Sequence, residues 1–112
     1  MSGRVGRGKR GPAPVFAALG DETRLTLLAR LRGGPRRSIT ELTEGTRLTR
    51  QAITKHLRVL EGAGIVHGTR AGRESHFEFD PRPIDEARQY LDRVSSEWDA
   101  ALDRLKDYVE RE

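Results

Sequence analysis

Residues 48–60 read LTRQAITKHLRVL and combine a basic side with an apolar side. The apolar side chains recur at intervals that line one face of an α-helix: Ala52, Ile53, Leu57 and Leu60. The other face carries polar or basic side chains: Arg50, Gln51, Thr54, Lys55 and Arg58. Thr49 is a favourable N-cap and Gly62 a favourable end. The stretch therefore predicts a helix over residues 50–62 that buries one side and presents cations on the other.

A shorter helix is predicted directly upstream. Ser38 and Glu41 have the spacing of a capping box, and the apolar Leu42 follows them. Gly45 breaks the chain, so we expect this helix over about residues 39–45. Two helices joined by a tight turn form a helix-turn-helix, a pattern that many all-helical proteins contain and that is weak evidence alone.

A β-hairpin is predicted after the basic helix. The β-prone runs IVHGTR and ESHFEFD flank Ala71 and Gly72, which form the turn. Arg70 and Arg73 lie at its tip. A basic helix followed by a basic hairpin is typical of the winged helix-turn-helix, in which the helix enters the major groove and the wing contacts a neighbouring backbone or minor groove.

The N-terminal part of the sequence predicts an arm and two helices. Residues 1–12 alternate Gly with Arg or Lys, which predicts a disordered basic arm before one domain over residues 13–112. We expect the first helix to run from Pro14 to Gly20. The second should start after the N-cap Asp21 and bury one side: Leu25, Leu28 and Leu31, widened by Leu27 and Ala29.

The C-terminal segment has the heptad spacing of a helix–helix seam over about residues 83–110. Its apolar residues advance by alternating steps of three and four: Ile84, Ala87, Leu91, Val94, Trp98, Ala101, Leu105 and Tyr108. This predicts a long helix that dimerises the protein, with a cover over the chain's own core as the alternative. Trp98 could instead line a small-molecule pocket. The predicted fold is mostly α with a β-hairpin wing, in the order α-α-α-α-β-β-α.

Composition and charge favour a nucleic-acid partner. The net charge of +4 is unevenly distributed: residues 1–83 carry 16 Lys or Arg against 8 Asp or Glu, whereas residues 84–112 carry 5 against 9. Clustered cations suit a polyanion such as double-stranded DNA, although a solvated basic surface has the same composition. There is no cysteine, no membrane span and no signal-peptide core, so we expect a cytoplasmic protein with no membrane partner. No set of nucleophile, base and orienting residue indicates an enzyme.

The residue types on the basic face suit the reading of bases. Gln51 can pair with adenine through two hydrogen bonds, and Arg50 or Lys55 can donate to guanine. Thr54 can touch a thymine methyl group or donate to a phosphate. Arg58 lies almost two turns on and is expected beside phosphate. A module that docks protein or RNA is the alternative, and it should show exposed aromatic or aliphatic residues on this face.

The sequence resembles the ArsR family of bacterial winged-helix repressors over about residues 14–110. The resemblance lies in LGDETRLTLLARL, in ITELTEGTRLTRQAITKHLRVLEGAGIV and in the hairpin GTRAGRESHFEF. It implies a homodimer joined through the first and last helices, which adds Phe16 to the dimer residues. It also implies an autoregulatory repressor on an imperfect palindrome. Its groove-facing positions would be Gln51, Thr54, Lys55 and His56, with Arg73 on the wing.

Many members of this family sense metals through two cysteines in the helix before the turn. Thr43 and Gly45 stand at those positions here, and the last helix, which carries another metal site in the family, contains no histidine. His67 and His76 with Glu78 are a weak candidate set on the hairpin. We therefore expect no metal, no cofactor and metal-independent regulation. A non-cysteine sensor of a metal or of an unknown small-molecule effector remains the alternative.

Overall fold

A computed structural model describes residues 11–111. Its elements follow in the order α1 (Pro12–Leu19), α2 (Glu22–Leu31), β1 (Arg37–Ser38), α3 (Ile39–Thr43), α4 (Arg50–Gly62), β2 (Val66–Ala71), β3 (Glu74–Phe79) and α5 (Arg82–Glu110). The predicted class, mostly α with a small β wing, is confirmed. Among the described residues, no helix is long and apolar enough to cross a membrane.

The core lies where α2, α3 and α4 meet the small sheet. Its largest fully buried side chains come from all of these elements: Leu27, Leu31, Leu42, Ile53, Leu57, Leu60, Ile65 and Val66. The predicted caps are present. Thr49 accepts a hydrogen bond from the Ala52 amide at 3.0 Å, and Ser38 and Glu41 form the reciprocal capping box. Capping fixes where α3 and α4 begin, so the turn between them is defined at both ends.

The sheet has three antiparallel strands in the order β1-β3-β2. The hairpin of β2 and β3 turns at Gly72, whose φ of 65° is a left-handed conformation that glycine adopts without strain. Gly68 pairs with Phe77, and a Cβ at this position would lie 2.8 Å from the phenyl ring. Glycine at position 68 therefore allows the Phe77 ring to lie across β2 and complete the core.

Helix α5 runs well beyond the rest of the chain. Ala87 is buried, Ile84 packs against the core, and the Phe16 ring of α1 lies 6.3 Å from the Tyr90 ring. Beyond these residues most of the helix surface is exposed. The structure measures 70 × 39 × 22 Å along its principal axes, because a 29-residue helix projects from a small core.

Several predicted details differ in the structure. Helix α1 begins at Pro12 rather than Pro14. Most of the predicted basic arm lies outside the described residues. Leu25 is 49% exposed, and Leu27 takes the core position beside Leu28 and Leu31. Helix α3 ends at Thr43, and the strand β1 was not predicted. Two residues carry too little periodicity to reveal a strand, since β1 exists only through its pairing with β3.

Candidate nucleic-acid interface

The outward face of α4 is basic and exposed. Arg50, Gln51, Lys55 and Arg58 are exposed and Thr54 is partly exposed, while Ile53, Leu57 and Leu60 on the opposite face are fully buried. Ala52, expected on the core face, is partly buried. Burial of one face leaves the other no freedom to turn inward, so these polar side chains stay at the surface. We call α4 the recognition helix.

The start of the recognition helix is tied to α3. The Arg50 guanidinium donates a short hydrogen bond to the Thr40 hydroxyl, and the Thr54 hydroxyl donates to the Arg50 carbonyl at 2.7 Å. The Thr54 oxygen can still accept a hydrogen bond. Arg50 retains further N–H groups for an incoming acceptor. The two helices of the helix-turn-helix are therefore joined at the point where a DNA groove would be entered.

One aliphatic residue is exposed on the recognition helix. Val59 is 44% exposed and follows Lys55 by one turn. It lies in the C-terminal half of the helix, whereas base contacts come mostly from the first two turns. A single exposed valine is ordinary on a protein surface and does not form an apolar patch.

Arg30 of α2 binds the end of α3, the first helix of the helix-turn-helix. Its guanidinium donates to the carbonyl oxygens of Glu41, Leu42 and Glu44 at 2.7 to 3.0 Å. These carbonyls end α3 and would otherwise face solvent or remain unpaired. The role of Arg30 could not be predicted from the sequence, where its one signal is an arginine in the last turn of a helix. Arg30 thus holds residues 41–44, which include Thr43 and end next to Gly45.

The wing presents the two predicted arginines. Arg70 and Arg73 are exposed on either side of the turn, and the Arg70 Nε donates to the Gly72 carbonyl at 3.3 Å. Among residues 11–111, neither guanidinium pairs with a carboxylate, so both keep donors for a phosphate. The tip of the wing therefore matches the electrostatic character of the recognition helix.

The base of the wing holds an ionic cluster around Asp80. Arg82 donates to both carboxylate oxygens through its side chain, its backbone amide bonds Oδ1 at 3.0 Å, and the His67 Nε2 donates to Oδ2 at 2.8 Å. These bonds, those of the Arg82 side chain foremost, hold the pKa of Asp80 far below its usual range despite burial. The cluster fastens β3 to the start of α5.

Each hairpin histidine lies beside a carboxylate in the described part of the chain. His67 is bonded to Asp80, while His76 lies 3.9 Å from Glu74. Within residues 11–111 no group of three His, Cys, Asp or Glu side chains has the arrangement of a cation site. His67 and Glu78 are cross-strand partners, but with His76 they do not have the arrangement of a cation site.

The predicted dimer residues form a largely exposed stripe along α5. Leu91, Trp98, Leu105 and Tyr108 are between 50% and 66% exposed, and Val94 is partly buried. Phe16 is partly buried and packs on Tyr90 in the same chain. The periodicity missed Leu102 and Val109, which are also exposed and widen the stripe. A shallow depression at Trp98 is lined by Glu97, Trp98 and Ala101, all on α5.

A capped helix-turn-helix with a basic outer face, followed by a basic antiparallel hairpin, defines the winged helix-turn-helix class of DNA-binding proteins. Comparison with known proteins gives the same class. The family profile of a helix-turn-helix domain matches residues 19–69. The HTH-type transcriptional regulator Rv2034 of Mycobacterium tuberculosis is 32% identical over 103 residues, which cover 92% of each chain. YuzN of Bacillus subtilis, an uncharacterized HTH-type regulator, is 40% identical over 76 residues, 62% of this chain and 83% of YuzN.

Solved structures narrow the class to one family. An ArsR-like transcriptional regulator from Rhodococcus sp. RHA1 superposes with a TM-score of 0.74 at 37% identity, covering 85% of this chain and 89% of the other. The homodimeric winged helix-turn-helix domain Mb0332 of Mycobacterium bovis shares the fold, with a TM-score of 0.59 at 22% identity, over 76% of this chain and 78% of that one. The chain belongs to the ArsR family of DNA-binding transcriptional regulators. Its relatives are regulators rather than enzymes.

Proposed function

We propose that the protein is a homodimeric repressor that binds an imperfect palindromic operator, including that of its own gene. The proposal rests on the two opposite faces of the recognition helix. Its apolar face is fully buried, while its exposed face offers Gln51 and Lys55 to a groove. This arrangement supplies base-edge donors and acceptors without exposing the core.

We assign the contacts in two groups. Gln51, Thr54 and Lys55 lie in the first two turns and would read base edges in the major groove, with Arg50 at the helix start. Arg58 would contact phosphate, as would Arg70 and Arg73 from the wing. Contacts to phosphate give affinity and register, so the second group sets how tightly the protein holds any DNA, and the first group sets which DNA it prefers.

The dimer rests on the stripe along α5. The leucine, tryptophan and tyrosine side chains of the stripe are at least half exposed. Contact between their apolar area and water is unfavourable, and a second apolar surface that covers it would lower the free energy. A second copy offers the same stripe as a matching surface. The acidic residues around the stripe repel DNA phosphates and so keep α5 away from the DNA. The Mb0332 domain, which shares this fold, is homodimeric. Two recognition helices would then lie about one helical turn of DNA apart, or roughly 34 Å.

We propose that repression does not depend on a metal. Thr43 and Gly45 cannot supply thiolates, and the carbonyls at the end of α3 are held by Arg30. A fixed guanidinium stabilises this segment in one arrangement, so no ion is needed to order it. An effector of another kind would have to act through a different part of the dimer.

The proposal is tested by selecting duplexes from a random library with the purified protein, and then measuring gel shifts at two salt concentrations. We expect a two-fold-related site whose binding survives competitor DNA, with an affinity that falls steeply as salt rises. Equal binding to all duplexes would contradict sequence-specific recognition. Failure to enrich any duplex would favour the module that docks protein or RNA instead.

A further inference from the structure

A set of hydrogen bonds joins the recognition helix to the end of α1. The Arg24 guanidinium donates from Nε to the Ala18 carbonyl at 2.6 Å and from Nη2 to the Ala17 carbonyl at 3.3 Å. Its third nitrogen, Nη1, lies 3.2 Å from Nδ1 of His56 on the recognition helix. One planar side chain thus holds the last turn of α1 and the middle of α4 at the same time.

The Arg24 contact indicates which nitrogen of the neutral His56 ring accepts a hydrogen bond. A guanidinium can only donate, so His56 Nδ1 accepts and the ring proton lies on Nε2 in the neutral form. Asp21, which caps α2 by accepting from the Arg24 amide at 3.1 Å, lies 3.7 Å from the same nitrogen. The His56 side chain is only 23% exposed. Its ring is therefore engaged with Arg24 and Asp21 at the start of α2 rather than fully presented to the outside.

This contact connects the recognition helix to the dimer helix. Val15 and Ala18 of α1 are buried, and the Phe16 ring packs on Tyr90 of α5. The buried side of the recognition helix packs through apolar, non-directional contacts. Hydrogen bonds near its two ends, from Arg50 to Thr40 and from the Gly68 amide to Glu61, join it to α3 and β2 rather than to α1 or α5. Hydrogen bonds to a planar fork are directional. The Arg24–His56 contact is thus suited to fix the orientation of α4 relative to α1 and α5.

We propose that Arg24 and His56 are positioning residues that set the angle of the recognition helix relative to the dimer axis, and thereby the operator half-site spacing that the dimer accepts. The inference rests on the proposed function, in which two copies bind one palindrome. Moving a half-site by one base pair shifts it by about 3.4 Å and rotates it by about 35°. A dimer discriminates such sites only if both recognition helices are held in place.

The test uses a duplex selected by the wild-type protein, resynthesised with the two half-sites moved by one or two base pairs in either direction. We expect wild type to lose about tenfold or more in affinity on the altered spacings. His56→Ala and Arg24→Lys should bind all spacings within about threefold of one another. His56→Asn is the matched control, because its amide oxygen can stand near the position of Nδ1 and accept from Arg24, and it should keep the wild-type preference.

A role of His56 in reading a base would give a different result. His56→Ala would then keep the spacing preference and lose discrimination at one base pair of each half-site, which would overturn the proposal. An unchanged spacing profile in both His56→Ala and Arg24→Lys would also overturn it. Arg24→Lys tests the same contact should His56→Ala fail to fold.

A second measurement needs no DNA. The chain has no cysteine, so Val59→Cys allows one nitroxide label on each recognition helix of the dimer. We expect the distance distribution between the two labels to broaden when His56→Ala or Arg24→Lys is added and to stay narrow with His56→Asn. An unchanged distribution would refute the positioning role. A wild-type protein that selects no duplex would refute the proposed function, and the label distances would still test the Arg24–His56 contact.

Discussion

Helices α4 and α5 carry the same kind of apolar pattern and meet different surroundings. On α4, Ile53, Leu57 and Leu60 are fully buried, whereas on α5 Trp98 and Tyr108 are more than 60% exposed. The difference arises because α4 is surrounded by other elements of the core. Helix α5 is about 43 Å long at 1.5 Å per residue and extends beyond the elements that could cover it. An apolar stripe inside the fold completes the core, whereas a stripe beyond it stays exposed in the single chain and is the surface that we propose for a second copy.

The largest effect should come from breaking the exposed stripe. Leu91→Asp combined with Leu105→Asp places two charges in the proposed seam, where burial of an unpaired carboxylate is strongly unfavourable. We expect a monomer with an intact core. Its operator affinity should fall by at least about 100-fold, because the second half-site no longer binds as part of the same molecule. Light scattering on a sizing column and fluorescence anisotropy with the selected duplex measure the two effects.

Charges on the opposite face of α5 provide the control for this variant. Gln89 and Ala100 are exposed and lie away from the stripe, so Gln89→Asp with Ala100→Asp adds the same charge. This control should remain dimeric and bind within about threefold of wild type, since exposed substitutions have small effects. A dimeric Leu91→Asp, Leu105→Asp double variant would show that the seam lies elsewhere.

Alanine substitutions compare the two stripes directly. Leu57→Ala removes a fully buried side chain from α4 and should cost about 3 kcal/mol in the free energy of unfolding. Leu105→Ala, in a side chain that is 57% exposed in the single chain, should act mainly through association. Its Tm should therefore fall more at low than at high protein concentration. Calorimetry at two protein concentrations distinguishes a loss of core packing from a loss of association. A decrease in the Tm of Leu105→Ala that does not depend on concentration would contradict the dimer role.

A smaller effect is expected at the junction of the wing and α5. Asp80→Asn removes the charge that pairs with Arg82 and His67 and should cost about 2 kcal/mol of unfolding free energy at neutral pH. The pKa of Asp80 is lowered in the folded state, so its contribution is present above about pH 4 and is lost as the pH falls through the folded value. Urea unfolding should show the wild type and Asp80→Asn converging in acid. A constant difference would show that the charge of Asp80 does not stabilise the fold.

The sequence was sufficient to predict the elements whose signals are local. The bounds of α4 and the caps at Thr49 and Ser38 follow from residue types within a few positions of each other. The hairpin turn at Gly72 follows in the same way, because it needs a left-handed residue between two β-prone runs. The outward set on the recognition helix also follows from periodicity alone. These features depend on the chain itself rather than on distant partners.

Features that depend on distant residues could not be predicted. Strand β1 forms only because Arg37 and Ser38 reach Phe77 and His76 on β3. The contacts of Arg24 with His56, and of Arg30 with the end of α3, join residues 11 to 32 positions apart. Periodicity also misplaced Leu25, since α2 packs with Leu27 inward. Arginine side chains reach far, and no short-range rule says which carbonyl they will bind.

The central claim is that the basic face of α4 binds DNA while the stripe of α5 binds a second copy. Its most direct test is the operator affinity of a Gln51→Glu, Lys55→Glu double variant, measured beside its mass in solution. We predict a folded dimer of wild-type mass whose affinity for the selected duplex falls to the level of nonspecific DNA, since carboxylates would face base acceptors and phosphates. Protection of the operator by this variant at wild-type concentrations would contradict the assignment of the recognition face.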